Sequence, residues 1–165
     1  MKVTGDIKLE ELAELTREYG GDWGLDHSKR LMQMVETLAE GRAYDKDVVA
    51  LAAYLHDWGG YQKWMQPKDH AERSREVAEP FLREHNVPEE TAARVLECIA
   101  CHHGGGADRS FESKLFTDAD ALDLLGVCGF ARIFAMNARD IKAGHATVIR
   151  WRDISMNAIS LPSSR

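Results

Sequence analysis

The segment from residue 46 to residue 58, KDVVALAAYLHDW, constrains the fold of this chain more than any other. As a helix it is apolar on most of its sides, because valine, leucine and alanine occupy nearly every position from Val48 to Leu55. A helix that is apolar nearly all round must be surrounded by other elements, so this segment predicts a central, buried helix. Two polar residues, His56 and Asp57, stand at the end of this most apolar element.

The rest of the chain is also patterned with a helical period. An apolar stripe at i, i+4, i+7 and i+8 includes His27, which is therefore expected to face inward. Pro80 predicts a kink or a restart within its helix. We find no pair of strands with a two-residue period, so the sequence predicts an all-α fold, a compact helical bundle forming a single domain over residues 1–165. Helices are predicted at about residues 6–19, 26–41, 46–58, 70–84 and 88–103, and the helical pattern resumes after Ser110 or Ser113.

The composition excludes several classes of function. A chain of 165 residues with 44% hydrophobic and 29% charged residues is typical of one soluble globular domain. The net charge of −6 argues against nucleic acid as a partner, because binding to phosphates needs a basic surface. No stretch approaches the length of a membrane span. The N-terminal segment has no apolar core of a signal peptide, so we expect a cytoplasmic protein with reduced thiols.

The stretch CIACHH, residues 98–103, fits the pattern by which c-type haem is attached. That attachment is expected outside the cytoplasm, and the chain shows no export signal. A zinc site of four thiolates fails on count, because only Cys128 remains elsewhere in the chain. We therefore interpret the two cysteines of the stretch as small buried hydrophobes. His102 and His103 then become the residues that could reach a functional site.

The histidines are the main functional signal. Each of the seven, taken alone, is more often a hydrogen-bonded or half-exposed side chain than a ligand. As a set they differ, because His27 lies on an inward stripe and the pairs His56–Asp57 and His102–His103 close helices. Buried polar side chains are costly without a partner, and a divalent cation is the simplest one. Imidazole nitrogen mixed with carboxylate oxygen suits manganese, iron, cobalt, nickel or zinc.

The order of these residues resembles the HD domain family of metal-dependent phosphohydrolases. A histidine, a His-Asp pair and an aspartate within DADALD follow one another in a helical chain. The stretches LAAYLHDWGGYQKW, DHAERSREVAEPFL and ESKLFTDADALDLLGVCGFARIF look like the small bacterial branch of that family. The resemblance covers roughly residues 22–136. It implies an all-α fold with one metal held by His27, His56, Asp57 and an aspartate of DADALD.

Two aspartates compete for the last ligand position. Asp118 and Asp120 are two residues apart, so on a helix they point to nearly opposite sides and one metal cannot be reached by both. In the family pattern the aspartate is preceded by alanine and followed two residues later by leucine, which matches Asp120. We therefore predict Asp120 as the ligand and leave Asp123 or Asp118 to support the ligands from behind.

The resemblance also implies roles for the later histidines. In related proteins, histidines after the His-Asp pair line the pocket or hold a second metal, and His70, His102 and His103 occur at matching places. Because His70 lies only 13 residues after Asp57, a short loop must bring it back. We therefore favour one metal, with His70 at the rim. Asp57, His102 and His103 are predicted to take part in catalysis.

The phosphate contacts are less well indicated. Many HD proteins carry lysine or arginine directly after the last metal-binding aspartate, and here that residue is Ala121. Lys63 and Arg73 are candidates for phosphate binding because they are close in sequence to the ligand positions, as are Arg30 and Lys68. Each of them, taken alone, is more often a solvated surface charge.

Three functions remain open on the sequence. The leading hypothesis is a metal-dependent phosphohydrolase that acts on a nucleotide or another small phosphate ester. The second is a two-iron oxygenase of the HD superfamily, which would need His70 and His102 or His103 for a second iron. The third is a non-catalytic metal- or nucleotide-binding module. The expected partner is a small phosphorylated molecule, and a homodimer is compatible with the sequence.

Overall fold

The computed structural model describes residues 3–64 and 66–165. The regular elements of these residues are α-helices and three short 3₁₀ helices, so the predicted all-α fold is confirmed. None of the described helices is both long enough and apolar enough to cross a membrane. The α-helices are α1 (Leu9–Ala39), α2 (Lys46–Leu55), α3 (His70–Glu84), α4 (Glu89–Ala100), α5 (Phe111–Leu125), α6 (Val127–Met136) and α7 (Ile141–Ala158), and the 3₁₀ helices are Trp58–Gly60, Gln62–Trp64 and Pro162–Ser164.

Helix α2 lies at the centre, as its apolar composition predicted. Every residue from Val48 to Leu55 is buried, and α1, α4 and α5 pack around it. Asp45 caps its N-terminus, because the carboxylate accepts hydrogen bonds from the backbone N–H groups of the first turn. Arg94 of α4 holds the same carboxylate at 2.9 Å. The buried helix therefore places His56, its C-terminal cap, in the interior of the bundle.

The two N-terminal helices expected from the sequence are present as two helical segments of α1 that meet at a kink. Gly21 has φ 66° and ψ −172°, a backbone conformation that favours glycine. Gly20 and Gly24 lie against the ring of Tyr61, and a Cβ atom at either position would collide with it. The stop predicted at Gly20 and Gly21 is therefore confirmed as this kink, and Gly20 and Gly24 make room for Tyr61.

Helix α3 begins at His70, one of the histidines singled out from the sequence. Asp69 caps it by accepting hydrogen bonds from the backbone N–H groups of Ala71 and Glu72, so His70 is its first residue. Gly59 packs directly on this helix, and a Cβ atom there would collide with the backbone of Ser74. The helix continues through Pro80, so the restart predicted there is wrong.

The C-terminal helices return to the same end of the bundle. Helices α6 and α7 pack on each other and on α5. The end of α7 is anchored by Asp118, whose carboxylate accepts hydrogen bonds from the backbone N–H groups of Ser160 at 2.9 Å and Leu161 at 2.7 Å. Asp118 is thus a buried anchor for the C-terminus and faces away from the histidines.

Candidate metal centre

Four side chains converge where α1, α2 and α5 meet. His27 comes from α1, His56 and Asp57 follow the last turn of α2, and Asp120 comes from α5. Nε2 of His27 lies 3.2 Å from Nε2 of His56 and 3.2 Å from Oδ1 of Asp120. Oδ2 of Asp57 lies 3.6 Å from Nε2 of His56 and 4.0 Å from Nε2 of His27. We call these four residues the inner group.

The hydrogen bonds of the inner group show which ring nitrogens are free to bind a cation. Nδ1 of His56 lies 3.1 Å from the carbonyl oxygen of Ala53, to which it must donate. Nδ1 of His27 lies 2.7 Å from Oδ2 of Asp123 and donates to that carboxylate. In a neutral ring, Nε2 then carries a lone pair. Two lone pairs that face each other at 3.2 Å repel unless a proton or a cation lies between them, so the donor set fits a metal ion.

A second set of metal-competent side chains lies next to the first. Nε2 of His70 is 3.0 Å from Nε2 of His102, and the rings of His70 and His103 are 4.4 Å apart. Nδ1 of His102 donates to the carbonyl oxygen of Ile99 at 2.6 Å, which leaves a lone pair on its Nε2 as well. One potential ligand atom from each of the three histidines lies within 4.8 Å of the others. We call them the outer group.

Asp57 lies between the two groups. Its Oδ2 faces the inner histidines, whereas its Oδ1 lies 3.5 Å from Nε2 of His70. A carboxylate that presents one oxygen to each side can be shared by two cations. The geometry therefore provides donors for two metal ions, although the sequence favoured one.

His70 lies deeper in the site than the spacing along the chain suggested. The loop before it is held in a compact shape by Arg73, whose guanidinium donates hydrogen bonds to the carbonyl oxygens of Gly59, Gln66 and Lys68. This loop and the Asp69 cap together direct the first residue of α3 towards Asp57. The 13 residues that we expected to leave His70 at the rim are therefore enough to bring it to the cluster.

Burial and neighbouring charges make the histidines unequal. Burial alone would lower the pKa of His27, but its hydrogen bonds with Asp120 and Asp123 outweigh burial and raise the pKa to about 10. Burial lowers the pKa of His56, and it lowers the pKa of His102 to about 3. Those two rings are consequently neutral, the form of histidine that binds metals, whereas His27 must release its Nε2 proton when a metal binds.

The aspartates of the inner group stay ionised despite their burial. Burial by itself raises the pKa of a carboxyl group, yet the nearby histidines, His56 foremost, hold the pKa of Asp57 below its usual range. For Asp120, the hydrogen bond from His27 overcomes burial and lowers the pKa in the same way. The site therefore combines carboxylates and neutral imidazoles, the ligands that transition metals accept.

Asp123 and Arg30 support His27 from behind. Asp123 receives two hydrogen bonds from the Arg30 guanidinium, from Nε at 2.7 Å and from the NH2 nitrogen at 2.9 Å. Burial would raise the pKa of Asp123, but Arg30 and His27 hold it below its usual range. The carboxylate fixes the orientation and the tautomer of the His27 ring. Arg30, which the sequence offered as a phosphate contact, is instead committed to this aspartate.

A cavity of about 280 Å³ opens onto both groups. His27, Asp57, His70, His103 and Asp120 of the two groups line this cavity. Side chains from the last three α-helices also line it, and we call them the wall: Leu124, Arg132, Ile133, Met136 and Trp151. The sequence offered no binding role for Arg132 or Trp151.

The two phosphate contacts predicted from the sequence lie in different settings. The Lys63 ammonium lies 4.1 Å from the centroid of the Tyr19 ring and 4.8 Å from that of Trp64, and Lys63 does not line the cavity. Arg73 does line it, but its guanidinium holds the preceding loop. Both therefore have structural roles that the sequence did not reveal.

The histidines of CIACHH belong to the site and its cysteines do not. His102 and His103 lie in the turn that follows α4 and form most of the outer group. Cys98 is fully buried and all three cysteines are free. Burial raises the pKa of the Cys98 thiol well above its usual range, which keeps it a neutral, apolar side chain.

Comparisons with solved structures show the same architecture in three bacterial proteins. A predicted HD superfamily hydrolase from an uncultured Thermotogales bacterium is 24% identical, with a TM-score of 0.64 over 91% of this chain and 84% of that chain. YpgQ of Bacillus subtilis in complex with ADP is 21% identical, with a TM-score of 0.67 over 95% and 83%. An HD-superfamily hydrolase of Bacillus thuringiensis is 22% identical, with a TM-score of 0.61 over 94% and 85%. These identities are low, so the three structures establish the fold alone.

The family comes from the sequence itself. No curated protein matches the chain significantly. The model of the HD domain family, however, matches residues 24–125, which is more than half of the chain. The matched segment contains both the inner and the outer group. The chain that brings these histidines and aspartates together therefore belongs to the HD domain family.

Proposed function

We propose that this protein is a metal-dependent phosphohydrolase that acts on a nucleotide or another small phosphate ester. The observation that carries the proposal is the position of Asp57, between two sets of imidazoles and at the floor of a cavity. Two of the similar structures are described as HD superfamily hydrolases. A third was solved with ADP, which supports a nucleotide as the substrate.

The residues present suit two cations. His27, His56, Asp57 and Asp120 would hold one, and the outer histidines, together with Asp57, would hold the other. A divalent cation bound there would neutralise charge on a phosphate and lower the pKa of water. Manganese, iron, cobalt, nickel and zinc all accept this mixture of nitrogen and oxygen ligands.

The remaining tasks fall to the chain's own residues. Asp57 would fix the distance between the two cation positions, and the hydrogen bonds at Nδ1 would hold the rings in place. Of the two histidines predicted to be catalytic, His103 lines the cavity and His102 is enclosed behind it. His103 is therefore the better candidate for a contact with the substrate or for proton transfer.

The outer group also supports a second candidate function. A pair of cation positions bridged by a carboxylate would serve a two-iron oxygenase of the same superfamily, the alternative that His70 and His102 left open. The two functions differ in the metal they need and in the co-substrate they consume. The oxygenase would take up dioxygen and release no phosphate.

A phosphate-release screen with added manganese tests the proposal directly. We expect phosphate release from at least one nucleotide or small phosphate ester, and none after metal is removed with a chelator. The control is oxygen consumption by the same preparation loaded with iron. Two tightly held irons per chain, dioxygen uptake and no phosphate release from any compound would contradict the proposal. Tight nucleotide binding with neither reaction would favour the non-catalytic module.

The protein's setting follows from the same proposal. A small phosphorylated substrate would be met in the cytoplasm, where we place the protein. The single domain and the homodimer that the sequence allows stay predictions.

A further inference from the structure

Arg132 is a cation for which the described part of the chain supplies no counter-charge. It lies on α6, lines the cavity and stacks on Trp23, with 4.9 Å between its guanidinium carbon and the centroid of the ring. Within residues 3–64 and 66–165 it has no ion pair and no hydrogen bond. An arginine held by its face keeps its N–H groups available at the edge.

A second arginine on the same ring shows what Arg132 lacks. The guanidinium carbon of Arg30 lies 5.0 Å from the centroid of the Trp23 ring. Its charge is matched by Asp123, which it contacts through two hydrogen bonds. Two like charges on one indole repel each other, and an anion beside each of them relieves that repulsion. An anion that enters the cavity would complete the pair at Arg132.

The other arginine that lines the cavity does not serve this purpose. Arg73 is buried, and its guanidinium donates to the backbone carbonyls of the loop before α3. Apart from these two, no lysine or arginine among the described residues lines the cavity. Arg132 is therefore the basic side chain there that is placed to receive a phosphate oxygen.

Apolar side chains line the same cavity as Arg132. Ile133 and Met136 come from the same helix, and Trp151 comes from α7. The Trp151 ring lies 5.3 Å from the ring of His103, edge against face, so it borders the outer group. A flat apolar group that enters next to the metal positions would meet this indole.

Arg132, Ile133, Met136 and Trp151 lie outside the segment that matches the family. The match ends at residue 125, whereas α6 and α7 occupy residues 127–158, which we call the C-terminal hairpin. The metal-competent residues belong to the matched segment. Arg132 and Trp151, which line the same cavity, do not, so the candidate metal ligands and these two side chains come from different segments of the chain.

We propose that the C-terminal hairpin determines which substrate is accepted, with Arg132 receiving a phosphate oxygen and Trp151 contacting a flat, apolar part of the same molecule. This inference rests on the proposed function, since it assumes a phosphorylated substrate in this cavity. Such a wall would favour compounds in which an anionic group and a flat group lie close together. A sugar phosphate without a flat group would make the contact with Arg132 but not the contact with Trp151.

Equilibrium binding to the manganese-loaded protein tests the proposal without requiring turnover. AMP, ribose 5-phosphate and adenosine are the probes, because the last two each lack one of the two groups. In Arg132→Gln, AMP and ribose 5-phosphate should bind roughly ten- to a hundredfold more weakly, and adenosine should be unaffected. In Trp151→Ala, the affinity for AMP should fall roughly tenfold, and the affinity for ribose 5-phosphate should not change.

Matched variants exclude indirect effects. Arg139→Gln removes the same charge from the same hairpin at an exposed position outside the cavity, and it should bind all three probes as the unaltered protein does. Trp151→Phe should restore most of the AMP affinity, because phenylalanine keeps a flat ring. Metal content must be equal in every variant, since Trp151 touches His103.

Three results would overturn the inference. The first is an AMP affinity in Arg132→Gln that is unchanged or falls no further than in Arg139→Gln. The second is an equal loss of affinity for AMP and ribose 5-phosphate in Trp151→Ala. The third is absence of AMP binding to the unaltered protein. Failure of the proposed function looks different, because the binding pattern would hold while no phosphate is released from any compound.

Discussion

The inner and outer groups offer similar ligands, yet the fold holds them in different ways. His27 and Asp120 project from within helices, and their side chains are only 3% and 5% exposed. His70 is the first residue of α3, and its side chain is 25% exposed. His102 and His103 lie in the turn that follows α4.

This difference predicts that the two positions bind metal with unequal strength. Two of the four inner residues, His27 and Asp120, lie within helices and are held by backbone hydrogen bonds on both sides, whereas every outer residue lies at a helix end or in a turn, which opens more easily. We therefore expect the inner group to retain its metal under conditions that empty the outer group. Asp57 belongs to both, so it couples them.

The largest effect is expected when the shared carboxylate is removed. Asp57→Ala should lose most of the metal at both positions and nearly all hydrolysis, because each cation loses a ligand. His56→Ala should also abolish hydrolysis, but it should deplete mainly the inner position. Metal analysis after gel filtration, together with phosphate release, measures both. Retention of about one metal per chain in Asp57→Ala would show that this carboxylate is not shared.

The next effect separates one metal from two. The unaltered protein should bind about two metals per chain, and His70→Ala or His102→Ala should reduce this to about one. His85→Ala is the control, because its ring bonds to the carbonyl oxygen of Phe81 at the far end of α3. If the unaltered protein binds a single metal and His70→Ala leaves that number unchanged, the single-metal interpretation of the sequence is correct.

A smaller effect is expected behind the inner group. Asp123→Asn should weaken metal binding at the inner position by about ten- to a hundredfold, because the His27 ring loses the carboxylate that orients it. Calorimetric titration with manganese measures this affinity, and the outer position should be unaffected.

Asp118→Asn is the matched control for that variant. Asp118 is also a buried aspartate of α5, but it binds the backbone at the end of α7. The Asp118→Asn substitution should therefore lower the free energy of unfolding and leave metal affinity unchanged. Equal metal affinity in Asp123→Asn and Asp118→Asn would show that Asp123 does not support the metal ligand His27.

The smallest effect lies away from both groups, at the start of α2. Glu112 accepts a hydrogen bond from the backbone N–H of Asp45 and pairs with Arg94, each at 2.9 Å. Burial opposes its ionisation, but these two partners lower the pKa of Glu112 below the ordinary value of 4.5. The stabilisation is therefore complete above that value and is lost as the pH falls through the lower pKa of the folded state.

Glu112→Gln should consequently be less stable than the unaltered protein at neutral pH by about 1 kcal/mol, and the gap should shrink in acid. Thermal unfolding of metal-free protein, followed from about pH 7 to about pH 3, measures the gap without a contribution from metal release. A gap that widens on acidification would contradict the assigned direction. Metal binding at neutral pH should be the same in both proteins.

The sequence predicted most successfully where the signal is local. The apolar segment from 46 to 58 could only be a buried helix, and its burial is confirmed. Asp120, rather than Asp118, was favoured from spacing and from the family pattern, and the structure places Asp120 beside His27. Helical spacing within one element decides which side chains share a face, so such predictions need no knowledge of the partner helix.

Predictions that depended on loops and helix ends were less accurate. The glycines at 20 and 21 correctly indicated a break, because Gly21 is non-helical, but the second helical segment begins directly after it and not near Asp26. His70 was expected at the rim, because only 13 residues separate it from Asp57; its Nε2 lies 3.5 Å from Oδ1 of Asp57, and its side chain is 25% exposed. The hydrogen bonds from Arg73 to the carbonyl oxygens of Gly59 and Gln66, on the path to His70, could not be predicted from the sequence pattern.

By itself, the sequence determined the helices, the burial of α2 and the order of the imidazoles and carboxylates along the chain. Only the tertiary structure decided that Arg30 pairs with Asp123, 93 residues away, and that Arg132 comes to lie on Trp23 beside the cavity. The physical reason is that spacing within a helix defines its apolar face, whereas the rotation and crossing of packed helices depend on all side chains between them. The position of Arg132 beside the cavity is therefore set by that packing and not by any local pattern in α6.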